Sequence, residues 1–229
     1  MVKHLACIMD GNRRWAMKNG LIPLEGHRKG FDAIKRIIEF CLENKIEHLS
    51  LYTFSIENLK RTAEELHYLF EVLAHEVAHD LAELKQKNVK VSFIGDKALF
   101  PKSIRSLCEK VEKETYHCTG LYLHFLLFYG GRQEIIDTAC RIATKIKKGD
   151  LKESEITPAV FEQFLWTAGI PYPDIIIRTG GDRRLSNFLL FQAAYSELYF
   201  LDVLWPDISK NDIESAVITF NNCRKNFGQ

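Results

Sequence analysis

Residues Arg178 to Asn187 gather three arginines, two glycines, a serine and an asparagine directly after the apolar run Ile175, Ile176 and Ile177. An arginine offers a planar fork of donors matched to phosphate oxygens, and paired glycines let the backbone come close to an anion. Four more polar clusters accompany apolar runs: Asp10-Gly11-Asn12-Arg13-Arg14-Trp15, Ser55-Ile56-Glu57-Asn58-Leu59-Lys60-Arg61, Tyr129-Gly130-Gly131-Arg132, and Glu197 after Tyr195. Arg14, Arg61, Arg178 and Arg184 together offset more negative charge than one monophosphate carries, so the expected ligand is a diphosphate. Asp10 and Glu197 are carboxylates among these cations, and a carboxylate in a phosphate site most often shares a magnesium ion with it. Taken singly, Asp10 reads equally well as the start of an Asp-Gly turn, and Arg28 or Arg183 as a surface ion-pair partner.

These clusters form one site only if the elements between them deliver them to one edge. Short β-rich runs at Leu5–Met9, His48–Phe54, Val89–Ile94, Leu121–Tyr129, Asp174–Arg178 and Glu197–Leu201 alternate with helical periodicity at about 27–44, 62–87, 102–117, 132–147, 158–167 and 209–226. That alternation predicts an α/β fold in one domain, 1–229, with a largely parallel six-stranded sheet flanked by helices. In such a sheet the ligand crevice lies beyond the carboxyl ends of the strands. Residues Lys147 to Ile156 read as a mobile surface loop.

Composition narrows the classes further. A chain of 229 residues, 46% hydrophobic, can bury a substantial core, and its formal net charge of +1 argues against a general nucleic-acid binder. There is no apolar stretch long enough to span a membrane and no secretory leader before Asp10, so a cytoplasmic protein is expected. Six cysteines without a C-x-x-C pair predict reduced thiols. Neither G-x-x-x-x-G-K-[ST] nor G-x-G-x-x-G occurs. His75-Glu76-Val77-Ala78-His79 does match H-E-x-x-H, which would make a zinc hydrolase using His75 and His79. Leu66, Phe70, Leu73, Val77, Leu81 and Leu84 form the buried stripe of that helix, however, and the two histidines fall roughly opposite it.

The chain resembles the cis-prenyltransferases of the undecaprenyl diphosphate synthase family. The resemblance rests on ordered blocks along nearly the whole chain: IMDGNRRWA (8–16), GHRKG (26–30), LYTFSIENLKR (51–61), YGGRQEI (129–135), IIIRTGGDRRLSNFLLFQAAYSELYF (175–200) and LWPD (204–207). The D-D-x-x-D of the trans-type synthases is missing.

The resemblance implies an enzyme that adds isopentenyl diphosphate repeatedly to an allylic diphosphate such as farnesyl diphosphate, with Mg2+ as cofactor. It makes Asp10 and Asn58 catalytic and Asp10 and Glu197 the metal ligands. Gly11, Asn12, Arg13, Arg14, Trp15 and His27 would hold the allylic diphosphate, Arg178, Arg184, Leu185 and Ser186 isopentenyl diphosphate, and Ser55, Ile56, Glu57 and Arg61 the region between. An amide is a poor base, so Asn58 is expected to orient rather than to take a proton. An apolar product requires an apolar tunnel, for which the stripe at 66–84, Ile94, Phe125 and Leu127 are candidates equally suited to plain core packing. A homodimer contributed to by the fifth and sixth strands, peripheral contact with the inner face of the membrane and a role in bacterial cell-wall lipid supply are also implied. The chain departs from the family pattern at Arg13 (usually glycine), Pro23 (usually arginine), Leu59 (usually tryptophan) and Asp182 (usually glutamate). A non-catalytic prenyl-diphosphate-binding subunit is the alternative, and it would be expected to have lost Asp10 or the Arg178, Arg184, Ser186 pattern.

Overall fold

The computed structural model describes residues 1–60 and 62–222, leaving out the side chains of five residues within 63–78, among them Leu73. Six strands, β1 (His4–Ile8), β2 (His48–Ser55), β3 (Val89–Ile94), β4 (Leu121–Tyr129), β5 (Ile175–Arg178) and β6 (Glu197–Phe200), form one sheet in the order β3-β4-β2-β1-β5-β6. Every pairing is parallel. The strands are dominated by Leu, Ile, Val and Phe, as strands covered on both faces require.

The helices are α1 (Asn12–Lys18), α2 (Pro23–Glu43), α3 (Ala63–Gln86), α4 (Lys102–Glu114), α5 (Gly131–Lys148), α6 (Pro158–Glu162) and α7 (Lys210–Asn222). The helix α1 was not expected, because seven residues reading NRRWAMK carry no apolar period. The onset of α2, expected near 27, lies at Pro23, which occupies the first helical turn where its missing N–H costs nothing, while Glu25 accepts from Ile22 N–H at 3.1 Å. Proline is thus accommodated without strain where the family pattern has arginine. The α6 helix is shorter than its expected span, and residues 223–226 of the last one lie outside the described residues.

One face of the sheet carries the main core, where Leu5, Cys7, Leu49, Leu51, Leu123 and Phe125 meet α2, α3, α4 and α7. The opposite face is divided along its length. Toward the carboxyl edge it is apolar, with Ala6, Ile8, Leu126 and Ile176 under Phe188 and Leu189. Toward the amino edge the same alternation presents His4, His48, Ser50 and His124, with His48 Nδ1 and His124 Nε2 3.1 Å apart and Ser92 Oγ 2.7 Å from His124 Nδ1.

Burial pulls His124 down to about 3 and His4 to about 4, and the neighbouring histidines push the same way. Both are neutral in the folded chain at pH 7 but take up protons near 6.5 when unfolded, so their contribution is complete above pH 6.5 and is lost as pH falls toward 4. Urea unfolding is therefore expected to show stability dropping between pH 6.5 and 5 by up to about 1.4 kcal/mol per pH unit for each histidine. His124→Asn should give a shallower slope, and an equal slope in the variant would refute the assignment.

Candidate active site

Strands β2, β1 and β5 are neighbours, so the loops leaving their carboxyl ends converge. Ile8 of β1 is level with Arg178 of β5. The Arg178 side chain, only 5% exposed, reaches from there to Asp10, its Nη2 donating to Asp10 Oδ2 at 2.8 Å and to Asp182 Oδ2 at 3.3 Å. Its Nη1 donates to Arg184 O at 2.6 Å and Ser186 Oγ at 2.7 Å. Arg14 Nη2 donates to the other oxygen of Asp10 at 3.0 Å, and Arg184 Nη2 to Asp182 at 2.7 Å. Three guanidinium groups are thus held together by two carboxylates at the head of the sheet.

The backbone around this cluster is pinned from several sides. Thr179 Oγ1 donates to Asp10 O at 2.7 Å and accepts from Asp10 N–H at 3.1 Å, while Trp205 N–H donates to the same carbonyl at 3.0 Å. Gly180 has φ +85°, and a Cβ there would stand 2.5 Å from Arg14 Nη2, so the glycine is needed both for its turn and for the approach of the arginine. Helix α2 crosses the loop equally closely, since a Cβ on Gly26 would lie 2.0 Å from Asn12 O. The G-H-R-K-G block is a packing device as well as a source of His27.

The cluster opens into a cavity of about 480 Å3 lined also by Asn12, His27, Ser55 and Asn58, and farther in by Phe31, Ile34, Phe54, Phe70 and Leu127. A register shift in β2 between Tyr52 and Phe54 flips the alternation there, which turns Phe54 toward the main core and this cavity. A charged mouth on an apolar interior suits a ligand with an anionic head and a hydrocarbon tail. Asn58 Oδ1 accepts from Ser55 N–H at 3.1 Å, so the face the amide can offer a substrate is its NH2, a donor.

Of the residues expected from sequence, Asp10, Asn12, Arg14, His27, Ser55, Asn58, Arg178, Arg184 and Ser186 line this one cavity. Gly11 supplies a left-handed turn (φ +112°) before α1. Arg13 points to Glu65 at 3.5 Å, Trp15 donates to Asp207 at 2.6 Å, Ile56 packs on the core, Glu57 accepts from Asn187 at 2.7 Å, and Leu185 joins the apolar cluster of the second face. Arg61 lies outside the described residues.

Two expectations need correction. Glu197 does not join Asp10 within one chain, because it opens β6 level with Ile175 and Leu5 at the amino edge of the sheet. That is three residues, about 10 Å along the strand direction, below the level of Arg178. A strand that begins with a polar residue delivers it to the edge opposite the site. The Tyr129–Arg132 cluster does not face the cavity as an anion cradle either, since Gly131 N–H donates to Asn187 O at 2.7 Å and Arg132 N–H to Asn187 Oδ1 at 2.8 Å. Those two donors help to order the loop that carries Ser186. Sequence reading missed Asp182, Thr179 and Trp205, although Asp182 stands four residues after Arg178 and two before Arg184.

His75 and His79 project from α3 with side chains 65% and 70% exposed, and among the described residues no group of three or more His, Cys, Asp or Glu is placed to hold a metal ion. No helix among the described residues is long and apolar enough to cross a membrane.

Comparisons with known proteins agree on one family. The family model described as "Putative undecaprenyl diphosphate synthase" matches residues 8–228. A ditrans,polycis-undecaprenyl-diphosphate synthase described as (2E,6E)-farnesyl-diphosphate specific, from Legionella pneumophila, is 40% identical over 99% of this chain and 95% of its own. An isoprenyl transferase from Geobacillus kaustophilus is 42% identical over 100% of this chain and 89% of its own. Among solved structures, lavandulyl diphosphate synthase from Lavandula x intermedia, in complex with dimethylallyl diphosphate, superposes with a TM-score of 0.96 at 32% identity, covering 100% and 98% of the two chains. A probable undecaprenyl diphosphate synthase from Campylobacter jejuni gives 0.82 at 33% identity, covering 100% and 99%.

Arg178→Lys keeps the charge but loses the fork that spans Asp10, Asp182 and Ser186. It should weaken binding of inorganic pyrophosphate, measured by calorimetry, by roughly 10- to 100-fold, the worth of a charge-assisted hydrogen bond. Unaltered affinity would place the anion elsewhere.

Proposed function

The chain belongs to the prenyltransferase family of the undecaprenyl diphosphate synthases, and on that premise we propose that it elongates farnesyl diphosphate with isopentenyl diphosphate units to a long cis-polyprenyl diphosphate. The observation that carries this reading is the guanidinium cluster on Asp10 and Asp182 at the head of an apolar cavity. A diphosphate fits the first part and a prenyl tail the second.

The residues divide the work as follows. Arg14 with the start of α1 receives the allylic diphosphate, and Arg178, Arg184 and Ser186 receive isopentenyl diphosphate. The first intrahelical bond of α1 runs from Trp15 N–H to Gly11 O, which leaves the N–H groups of residues 12–14 without intrahelical partners and able to face an anion. As substrate arrives, the arginines exchange carboxylate oxygens for phosphate oxygens without leaving their places. Preorganised donors then stabilise the charge that develops on the departing diphosphate, and the cavity wall holds the two reacting carbons near each other. Asn58 orients a substrate group through its amide NH2.

Asp10 suits magnesium, because Mg2+ keeps several waters and is typically bound by one or two carboxylates together with substrate phosphates. Bound there, with Asp182 beside it, the ion would neutralise charge on the leaving diphosphate. We further propose that the chain works as one domain in the cytoplasm, as a homodimer joined near β6, and meets the inner face of the membrane to release its product toward cell-wall lipid synthesis. In support of the dimer, β6 is an edge strand with Leu198 exposed and Tyr195 almost fully so.

Incorporation of labelled isopentenyl diphosphate into butanol-extractable product, primed with farnesyl diphosphate, tests the reading. Product should require Mg2+, and Asp10→Ala should reduce the rate by roughly 100-fold or more, the usual scale for losing one preorganised charge-stabilising group. Absence of product with every allylic primer would leave a binding subunit instead.

A further inference from the structure

Two cavities lie in line between α2 and α3 on the main face of the sheet. The larger opens at the arginine cluster and reaches Phe31 and Ile34, and a second of about 30 Å3 begins on those same two side chains. Three elements agree on the direction. The lining advances along α2 from His27 to Ile38, along α3 from Leu69 to Lys87, and back along β4 from Leu127 to Leu123. The last of these spans is about 13 Å of strand, so the small cavity stands in line beyond the larger one, on the side away from the arginines.

The small cavity holds space for about one water, and its largely apolar wall also carries Lys35, Glu76, Asp80, Glu83 and Lys87 from the two helices and the residue after α3. Lys35 of α2 donates to Asp80 of α3 at 2.7 Å, and Lys87 at the end of α3 contacts Glu39 of α2 at 3.3 Å. The Asp80 side chain is only 14% exposed and also faces His79 Nδ1 at 2.9 Å. Its hydrogen bond is the main reason the Lys35 ammonium is held above its ordinary range.

We propose that the Lys35–Asp80 ion pair is the strut that sets how long a prenyl chain this enzyme makes. The inference rests on the polyprenyl-synthase reading above. A growing chain fills the main cavity, passes Phe31 and Ile34, and then has to part α2 from α3 to advance. Parting them separates a half-buried charge from its partner, which is costly, whereas each added unit gains only the burial of its own carbons. Elongation ends where these two balance.

The test is the product ladder from labelled isopentenyl diphosphate and farnesyl diphosphate, resolved by chain length, for four proteins. Relative to wild type, K35M/D80L should shift the ladder longer by one or more isoprene units, and the charge-swapped K35D/D80K should keep the wild-type ladder. Ile38→Phe, which fills the small cavity, should shift it shorter. A wild-type ladder from K35M/D80L, or a charge swap that lengthens product as much as the neutral pair, overturns the strut. Should the neutral pair fail to fold, an unchanged ladder from Ile38→Phe overturns it independently. A wild-type protein that makes no polyprenyl product would bring down the enzyme reading itself, a result distinct from an unchanged ladder.

Discussion

A guanidinium at the end of a buried strand is tolerable only if carboxylates and carbonyls meet it, and the head of this sheet is arranged around that requirement. Arg178 is almost without contact with solvent, yet it ends an all-isoleucine approach in β5. Unpaired, such a charge would cost several kcal/mol, so Asp10 from the β1 loop and Asp182 from its own loop are drawn onto it. Each then collects a second arginine. The result is a cationic surface fixed in place before any anion arrives, with its reorganisation cost already met during folding.

The cavity below extends this polarity into a gradient. Charge is concentrated at the mouth, hydrocarbon follows through Phe31, Ile34 and Leu127, and charge returns at Lys35 and Asp80. On the reading proposed above, a diphosphate ester with an apolar tail would enter with its head toward the arginines and its tail toward Phe31 and Ile34. The parallel sheet makes this geometry economical. The loops that leave β1, β2 and β5 at the carboxyl edge meet at the mouth, while α2 and α3, running back from that edge, supply walls.

The six strands were legible because their apolar runs are bounded by polar clusters, and each observed strand lies within a residue or so of its expected span. The longer helices were legible from their stripes. What escaped was whatever lacked periodicity or depended on direction. Helix α1 is too short and too polar to show a period, and its shape comes from Gly11 and from packing beneath Gly26. Glu197 belongs by sequence to the same block as Arg178, but the intervening loop returns to the opposite edge before β6 starts. The Tyr129–Arg132 cluster has the residue types of an anion cradle, yet Asn187 takes its donors.

By itself the sequence determined the alternation of strand and helix, the edge at which most of the polar loops gather, and the supply of arginines, glycines and carboxylates there, because all of these follow from residue type and local period. It also determined the family through ordered blocks that no single motif could have specified. Only the tertiary structure decided which arginine shares which carboxylate, that Glu197 stands apart from Asp10 within the chain, and that an ion pair joins two helices beside the small cavity. Those contacts join residues as far apart as Asp10 and Arg178 or Lys35 and Asp80, and the register of neighbouring strands and the crossing of helices, not local spacing, bring them within hydrogen-bond reach.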